Sequence, residues 1–364
     1  MVAHSTLITY PRDFEDLFHK YHKHLPTLKK TSLRKTIGEN PEVMRANFGT
    51  VSHAEGVIPQ LNDALFDNVY SSNNNNEEKL PKRVQASSVD FALKTMTKEK
   101  VFAGRQGLES AANELGAAVH MYRWNLCFIA KTLGAAQDAD HFYLMSEHCK
   151  HGDLLGVLKK VKTQRIEELG VREIVFQLLL AVKELHVRGV VHRDLSPENI
   201  GVAEDGTMRI IDFGQAMCVH APYEEQDECW LPPDGPGKYL YRAPEMNQKK
   251  PYLAKKGDMF AIGMMTYVLL TGTYLYLRGN QGDVFKLKDM DKATADRVIE
   301  RLKNRHPLIH DSISSKMKDF LKKVLAPSAS KRLSVHEALS HPWIVGSVPA
   351  MIGDSDDEKC DEVQ

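Results

Sequence analysis

Residues 190–200 read Val190-Val191-His192-Arg193-Asp194-Leu195-Ser196-Pro197-Glu198-Asn199-Ile200, and after a short spacer residues 209–214 read Arg209-Ile210-Ile211-Asp212-Phe213-Gly214. The stretch sets three polar groups, Asp194, Asn199 and Asp212, in one short span of chain. The surrounding chain bounds how they are used. Its 364 residues are enough for two domains or one bilobal unit with extensions. The 42% apolar and 26% charged fractions are those of an ordinary soluble globule. Formal net charge is zero, so no global field favours nucleic acid or an anionic membrane, and neither is expected as a partner. The five cysteines (127, 149, 218, 229, 360) are scattered, odd in number and without metal-ligand spacing. They suggest free thiols in a reducing compartment. Met1 is followed by polar residues and no apolar signal-peptide core. The longest apolar run, 259–270, is too short to span a bilayer and fits a helix buried in protein. A cytoplasmic or nuclear location is the expectation.

Further motifs flank the opening stretch in chain order. Phe91-Ala92-Leu93-Lys94 precedes it, as do Glu147 in Glu147-His148-Cys149 and His151-Gly152-Asp153-Leu154. After it come Ala243-Pro244-Glu245, Asp258 in Gly257-Asp258-Met259-Phe260-Ala261-Ile262-Gly263, Lys331-Arg332-Leu333 and His341-Pro342-Trp343. With these, residues 190–214 resemble the catalytic core of the eukaryotic protein kinase family, serine/threonine type. The resemblance implies an α+β, bilobal protein-kinase-like fold: a small antiparallel β-sheet lobe plus a larger, mainly helical lobe. It implies Lys94 as the lysine on the ATP phosphates, Asp194 as acceptor of the attacking hydroxyl's proton, and Asn199 and Asp212 as ligands of Mg2+. Arg332 is the expected ion partner of Glu245. A nearly dissociative transfer explains these residue types, because it needs metal ions, a lysine and a positioned base more than a nucleophile.

The chain divides accordingly. Residues 1–36 form an N-terminal helical extension, in which Phe14, Leu17, Phe18 and Tyr21 predict an amphipathic helix over 13–24. Its basic face, with His19, His22 and His24, reads as solvated. Residues 37–148 form the small lobe, with a polar insertion at about 60–88 read as a surface loop. Residues 149–345 form the large lobe, where Val171, Ile174, Val175, Leu178, Val182 and Leu185 make a helical stripe. Residues 346–364 are an acidic tail read as disordered, with Ser355 a candidate for an acid-directed kinase.

Lys94 requires a glutamate from the small-lobe helix, and Glu114 is the better candidate with Glu109 its rival. The glycine-rich loop is divergent. Ala46-Asn47-Phe48-Gly49-Thr50-Val51 matches only the second half of the family pattern, with Ala46 at the middle glycine and Gly38 and Pro41 upstream. Fewer glycines leave fewer close backbone approaches to phosphate. The resemblance places Phe48, Gly49, Val51, Ala92 and Lys94 above the nucleotide. It places Ser146, Glu147, Cys149, Asp153 and Gly201 along the hinge and floor. Ser146 at the gatekeeper position and Gly201 where the family usually has a leucine predict a roomy, less apolar pocket, walled by Leu154, Val51 and Ala92.

Two departures concern catalysis. The position two after the catalytic aspartate is Ser196, where such kinases usually have a lysine. In Gly237-Lys238-Tyr239-Leu240-Tyr241-Arg242-Ala243-Pro244-Glu245, Lys238 stands where they usually have threonine. The pair reads as swapped, with Lys238 delivering its charge to the space left by Ser196. Between Asp212 and Glu245 there is no serine or threonine, only Tyr223, Tyr239 and Tyr241. Arg193, which usually grips a loop phosphate, could instead meet fixed charge from Glu224, Glu225, Asp227 or Glu228. Activity without loop phosphorylation is expected. The leading function is ATP-dependent transfer of the γ-phosphate to serine or threonine hydroxyls of protein substrates, with Glu198 able to attract a basic residue. The alternative is a pseudokinase acting as a nucleotide-binding scaffold, which explains Ala46, Ser196 and Gly201 but not the intact Lys94, Asp194, Asn199 and Asp212. A monomer is assumed by default.

Overall fold

Alternation along β4 (Val89–Thr97) sends Phe91 and Leu93 to one face of a sheet and Ala92 and Lys94 to the other. Phe91 and Leu93 bury against Leu28, Ala54, Tyr143 and Met145. On the opposite face, strand register places Lys94 between Val51 and Leu144, and Ala92 between His53 and Ser146. The sheet is antiparallel, in the order β1 (Leu33–Arg34), β3 (Gly49–Gly56), β4, β6 (His141–Ser146), β5 (Thr132–Gln137), with β2 (Met44–Ala46) also on β3. The computed structural model describes residues 14–28, 33–34, 44–46, 49–56, 58, 89–104, 109–122, 124, 126–219, 229–248, 250–272 and 312–346. Gly38, Pro41, Asn47, Phe48, the insertion at about 60–88, residues 223–228 and the tail beyond 346 lie outside the described residues.

After the short α2 (Lys98–Phe102), α3 (Ala111–Met121) packs on the cleft-facing side of the sheet. Ser110 caps it, its Oγ accepting from Asn113 N at 3.1 Å. Nearly every residue of α3 is buried, because α1 (Phe14–Tyr21) covers the side away from the sheet. Phe14, Phe18 and Tyr21 are the apolar stripe of α1, and all three are buried. Phe18 meets the edge of Phe142 at 5.2 Å, and Tyr21 Oη donates to Leu115 O at 3.1 Å. The chain leaves α1 by a 3-10 turn, His22–His24, and His22 stacks on Phe18 at 5.1 Å. It then runs along edge strand β5, with Gln137 Nε2 donating to His22 O and Leu25 O and Leu28 N donating to Gln137 O. The sheet edge is thereby covered.

The larger lobe is mainly helical and completes a bilobal α+β fold. Its helices among the described residues are α4 (Leu154–Lys160), α5 (Glu168–Val187), α6 (Pro244–Asn247), α7 (Ala254–Thr271), α8 (Ser315–Val324), α9 (Val335–Leu339) and α10 (Pro342–Val345). The stripe Val171, Val175, Leu178, Val182 and Leu185 turns α5 into the core, with Ile174 partly buried. The apolar run 259–270 is the middle of α7, enclosed by α5 and α8 and buried on all sides. Two short antiparallel pairs, β7 (Val190–Val191) with β10 (Met217–Cys218) and β8 (Ile200–Val202) with β9 (Met208–Ile210), hold the loops that face the sheet. A third joins β11 (Trp230–Leu231) to β12 (Tyr252–Leu253). Arg332 donates to both carboxylate oxygens of Glu245, at 2.9 and 3.1 Å, over the ring of Phe260. No helix among the described residues is long and apolar enough to cross a membrane.

The contact of α1 with α3 depends on Gly116, where an added Cβ would lie 2.0 Å from Phe14 O. A backbone oxygen cannot rotate away, so Gly116→Ala should push α1 off at a cost of about 1–3 kcal/mol. The unfolding midpoint should fall and amide exchange across 14–21 should rise. An unchanged midpoint with unchanged exchange there would refute this packing.

Candidate active site

Asp258, in the first turns of α7, organises the loop that carries Asp194. Its carboxylate is buried and accepts from His192 N at 3.0 Å, Arg193 N at 2.8 Å and His186 Nε2 at 2.9 Å. Burial alone would raise its pKa. The donors, His186 foremost, outweigh burial and hold the carboxyl below its usual range. With two consecutive amides fixed, Arg193 adopts φ +69°, a left-handed conformation costing on the order of 1–3 kcal/mol in a residue other than glycine. His192 closes the loop. Its Nε2 donates to Ile211 O at 3.0 Å, so Nδ1 is the acceptor for Asp194 N at 3.3 Å.

Asp194 and Asn199 form one buried unit. Asn199 Nδ2 donates to Asp194 O at 2.7 Å and to Asp194 Oδ2 at 2.9 Å. Its oxygen is left for the cleft. The β8–β9 pair then brings Asp212 alongside, with Ile211 N donating to Asn199 O at 3.0 Å. Asp212 also has positive φ, +61°, and its Oδ1 accepts from Gly214 N at 3.1 Å. It sits on the cleft floor, where solvent reaches it although protein surrounds it. Burial pushes its pKa up, and Lys94 with the Gly214 amide pulls it lower still, below the ordinary value. Asn199 and Asp212 thus offer hard oxygen donors at one side of the cleft, a set that suits magnesium.

Lys94 reaches across from β4. Its Nζ donates to both carboxylate oxygens of Glu114, the Oε1 contact being 2.7 Å. Burial opposes charge on both partners. It lifts Glu114 to about 6 against the pull of Lys94, which leaves the carboxyl ionised at neutral pH. For Lys94 the attraction of Glu114 and Asp212 outweighs burial, and the ammonium is held protonated above its usual range. Glu109 acts on Lys94 only as a more distant charge. Glu114, not its rival, is therefore the partner.

Lys238 lies against the same loop. Its backbone N donates to Asp194 Oδ1 at 3.0 Å, while its Nζ donates to Ser196 Oγ at 2.9 Å and Asp194 Oδ2 at 3.3 Å. Ser196 is fully buried. Val51, Ala92, Lys94 and Ser146 share one sheet face. Glu147 uses its side chain on Arg209 Nε, at 2.8 Å, and its amide on Lys131 O, at 2.9 Å, which ties the connection between lobes to β9. Asp153 caps α4 through Gly156 N at 2.7 Å. The expectation of open space over Gly201 needs amending. A Cβ there would lie 2.3 Å from Cys149 Sγ, so the cysteine sulfur takes the room a leucine would have filled. The physical reason is the bridge between Asp153 and Gly201, which presses residues 149–153 onto β8. Burial raises the Cys149 thiol to about 11, which disfavours the thiolate at neutral pH.

Several residues of the site were not singled out from sequence. Arg193 Nη2 donates to Asp234 Oδ2, Arg193 Nε donates to Tyr252 Oη at 3.0 Å, and Tyr252 Oη donates to Asp234 Oδ1 at 3.3 Å. Among the described residues, fixed negative charge on Arg193 comes from Asp234; the acids at 224–228 lie outside the described residues. Gln215 Oε1 accepts from Gly237 N at 2.8 Å, and Arg242 donates to Gly237 O at 2.6 and 2.8 Å. Asn113 contacts the turn after Asp212. The only sequence signal for Asp234 was an acid within the loop span, and for Asn113 there was none.

A bilobal fold with a lysine–glutamate pair facing an aspartate, an asparagine and a second aspartate across one cleft defines a kinase-like phosphotransferase scaffold. The protein kinase domain model matches residues 82–344, more than half of the chain. The chain belongs to the protein kinase family. It is 30% identical over 221 residues to CDPK-related kinase 4 of Arabidopsis thaliana, covering 60% of this chain and 34% of that one. It is 30% identical over 233 residues to the hormonally up-regulated neu tumor-associated kinase of Homo sapiens, covering 62% and 29%. Calcium-dependent protein kinase 4 of Plasmodium falciparum is 26% identical over 318 residues, covering 85% and 56%. The chain thus spans about a third of the length of the first two relatives.

Asp258 carries a pH prediction. Its folded pKa lies below the unfolded value of about 3.9, so its contribution is complete above that value and disappears as pH falls through the folded one. Asp258→Asn should cost about 3 kcal/mol at pH 7. The gap from wild type should narrow as denaturation is repeated towards pH 3. A gap that stays constant over that range would contradict the assignment.

Proposed function

We propose that the chain is an ATP- and magnesium-dependent protein kinase that phosphorylates serine or threonine hydroxyls of protein substrates. The observation that carries this reading is the closed Lys94–Glu114 pair, which sets an ammonium beside Asp212, while Asp212 adjoins the Asp194–Asn199 unit through Ile211. In this reading Lys94 holds the nucleotide phosphates and Asp194 orients and deprotonates the acceptor hydroxyl. Asn199 and Asp212 would hold magnesium, which when bound neutralises charge on the phosphates. Lys238, ordered by Ser196, supplies the cation that such kinases usually carry two residues after the catalytic aspartate. The serine/threonine assignment rests on Asp194-Leu195-Ser196-Pro197-Glu198-Asn199. The second reading, a nucleotide-binding scaffold, is favoured by Ala46 in the strand pair that would cover the phosphates.

Transfer of labelled phosphate from ATP to generic protein substrates discriminates the two. Wild type should transfer, Asp212→Asn should be inactive, and Lys238→Ala should lose about 10²–10³-fold in kcat, as for one transition-state donor. Ser196→Lys with Lys238→Thr should recover part of what each single change loses. Nucleotide binding with no transfer by wild type would favour the scaffold. An unchanged rate in Lys238→Ala would remove that residue from catalysis.

The Arg193–Asp234–Tyr252 contacts support activity without loop phosphorylation, because a carboxylate already stands where a phosphate would be gripped. Protein made in bacteria and treated with phosphatase should remain active, and Asp234→Ala should lower its rate by roughly tenfold or more, the effect of about 1.4 kcal/mol. Treated protein that is inactive until Tyr223 is phosphorylated would overturn this.

A further inference from the structure

Asn113 directly precedes Glu114 on α3. Its Nδ2 donates to Phe213 O at 3.2 Å, Gly214 O at 3.2 Å and Ala216 O at 2.9 Å. The cap residue adds a fourth contact, Ser110 N to Gly214 O at 3.3 Å. Asn113 is 2% exposed. Carbonyls only accept, so the NH2 group must face them and Oδ1 must face away. Oδ1 is buried there with no hydrogen-bond partner among the described residues. An orphan acceptor is unfavourable, and an apolar side chain would avoid it. That cost accompanies an NH2 group that reaches three carbonyls of the turn after Asp212.

Neighbouring residues on a helix point about 100° apart. Glu114 therefore faces Lys94 on the small-lobe sheet, while Asn113 faces the large-lobe turn. A single turn of α3 grips both. We propose that Asn113 is a positioning residue that locks the Asp-Phe-Gly turn to α3, so that seating Asp212 and closing the Lys94–Glu114 pair are one event. The consequence for magnesium rests on the kinase reading above; the lock itself does not.

The test uses the full chain with Asn113→Ala and Asn113→Asp. Asn113→Asp keeps the shape but turns an oxygen towards three carbonyls, so it should be the more damaging change. In nucleotide-free protein, amide exchange at residues 214–217 should accelerate by about tenfold or more in Asn113→Ala, while α5 and α7 stay protected. By calorimetry, ATP affinity measured with magnesium should fall, and affinity for magnesium-free ATP should not. If Asn113→Asp does not fold, Asn113→Ala carries both measurements. Unchanged exchange at 214–217, equal acceleration in α5 and α7, or equal loss of affinity with and without magnesium would each overturn the lock. Should wild type never transfer phosphate while the turn responds as expected, the kinase reading fails and the lock stands. Normal transfer with an unresponsive turn removes the lock alone.

Discussion

A buried ammonium and a buried carboxylate must be made together or not at all. Lys94 is partly buried and Glu114 fully so, and each charge leans on the other, with Asp212 adding to the compensation of Lys94. The pair closes only while α3 is pressed against the sheet. That pressing comes from two sides. Phe14, Phe18 and Tyr21 of α1 cover the back of α3, and Asn113 fastens its first turns to the loop after Asp212. The small residues of α3, Ala111, Ala112, Gly116, Ala117 and Ala118, make the close approach of α1 geometrically possible.

The large lobe meets a different constraint. Two of its loops each hold one residue other than glycine at positive φ, Arg193 in the loop that carries Asp194 and Asp212 in the loop after β9. Such backbone persists only where the surroundings over-determine it. Asp258 does so for Arg193 by fixing two amides in succession, and His192 joins the two loops by accepting from one and donating to the other. Charges in the cleft then fall into a consistent order. Asp212 is held ionised chiefly by Lys94, and Lys238 stands over Asp194 and Ser196.

Much of this was legible before any coordinates. Phosphoryl transfer admits few residue types, so Lys94, Asp194, Asn199 and Asp212 stand in readable motifs. The departures at Ser196 and Lys238 were also legible, because each breaks a pattern at a known place, and the two side chains meet at 2.9 Å. The partner of Arg193 was not. Any acid between Asp212 and Glu245 satisfies the local pattern, and among the described residues the one that pairs, Asp234, is chosen by where β11 and β12 place it beside Tyr252. The space over Gly201 was misjudged for the same reason, since Cys149 fills it from more than fifty positions away in the chain.

The amino-acid sequence by itself determined the fold class, the polar groups that line the cleft and the apolar faces of α1, β4 and α5, because periodicity and functional-group type are local properties of a chain. Only the tertiary structure decided between Glu114 and Glu109, assigned Asp234 to Arg193, filled the floor with Cys149 and gave Asn113 its three carbonyls. Those outcomes depend on which groups meet within about 3 Å, the range of a hydrogen bond. Between partners as distant in the chain as Asn113 and Ala216, that meeting is set by packing of whole elements, which no short pattern encodes.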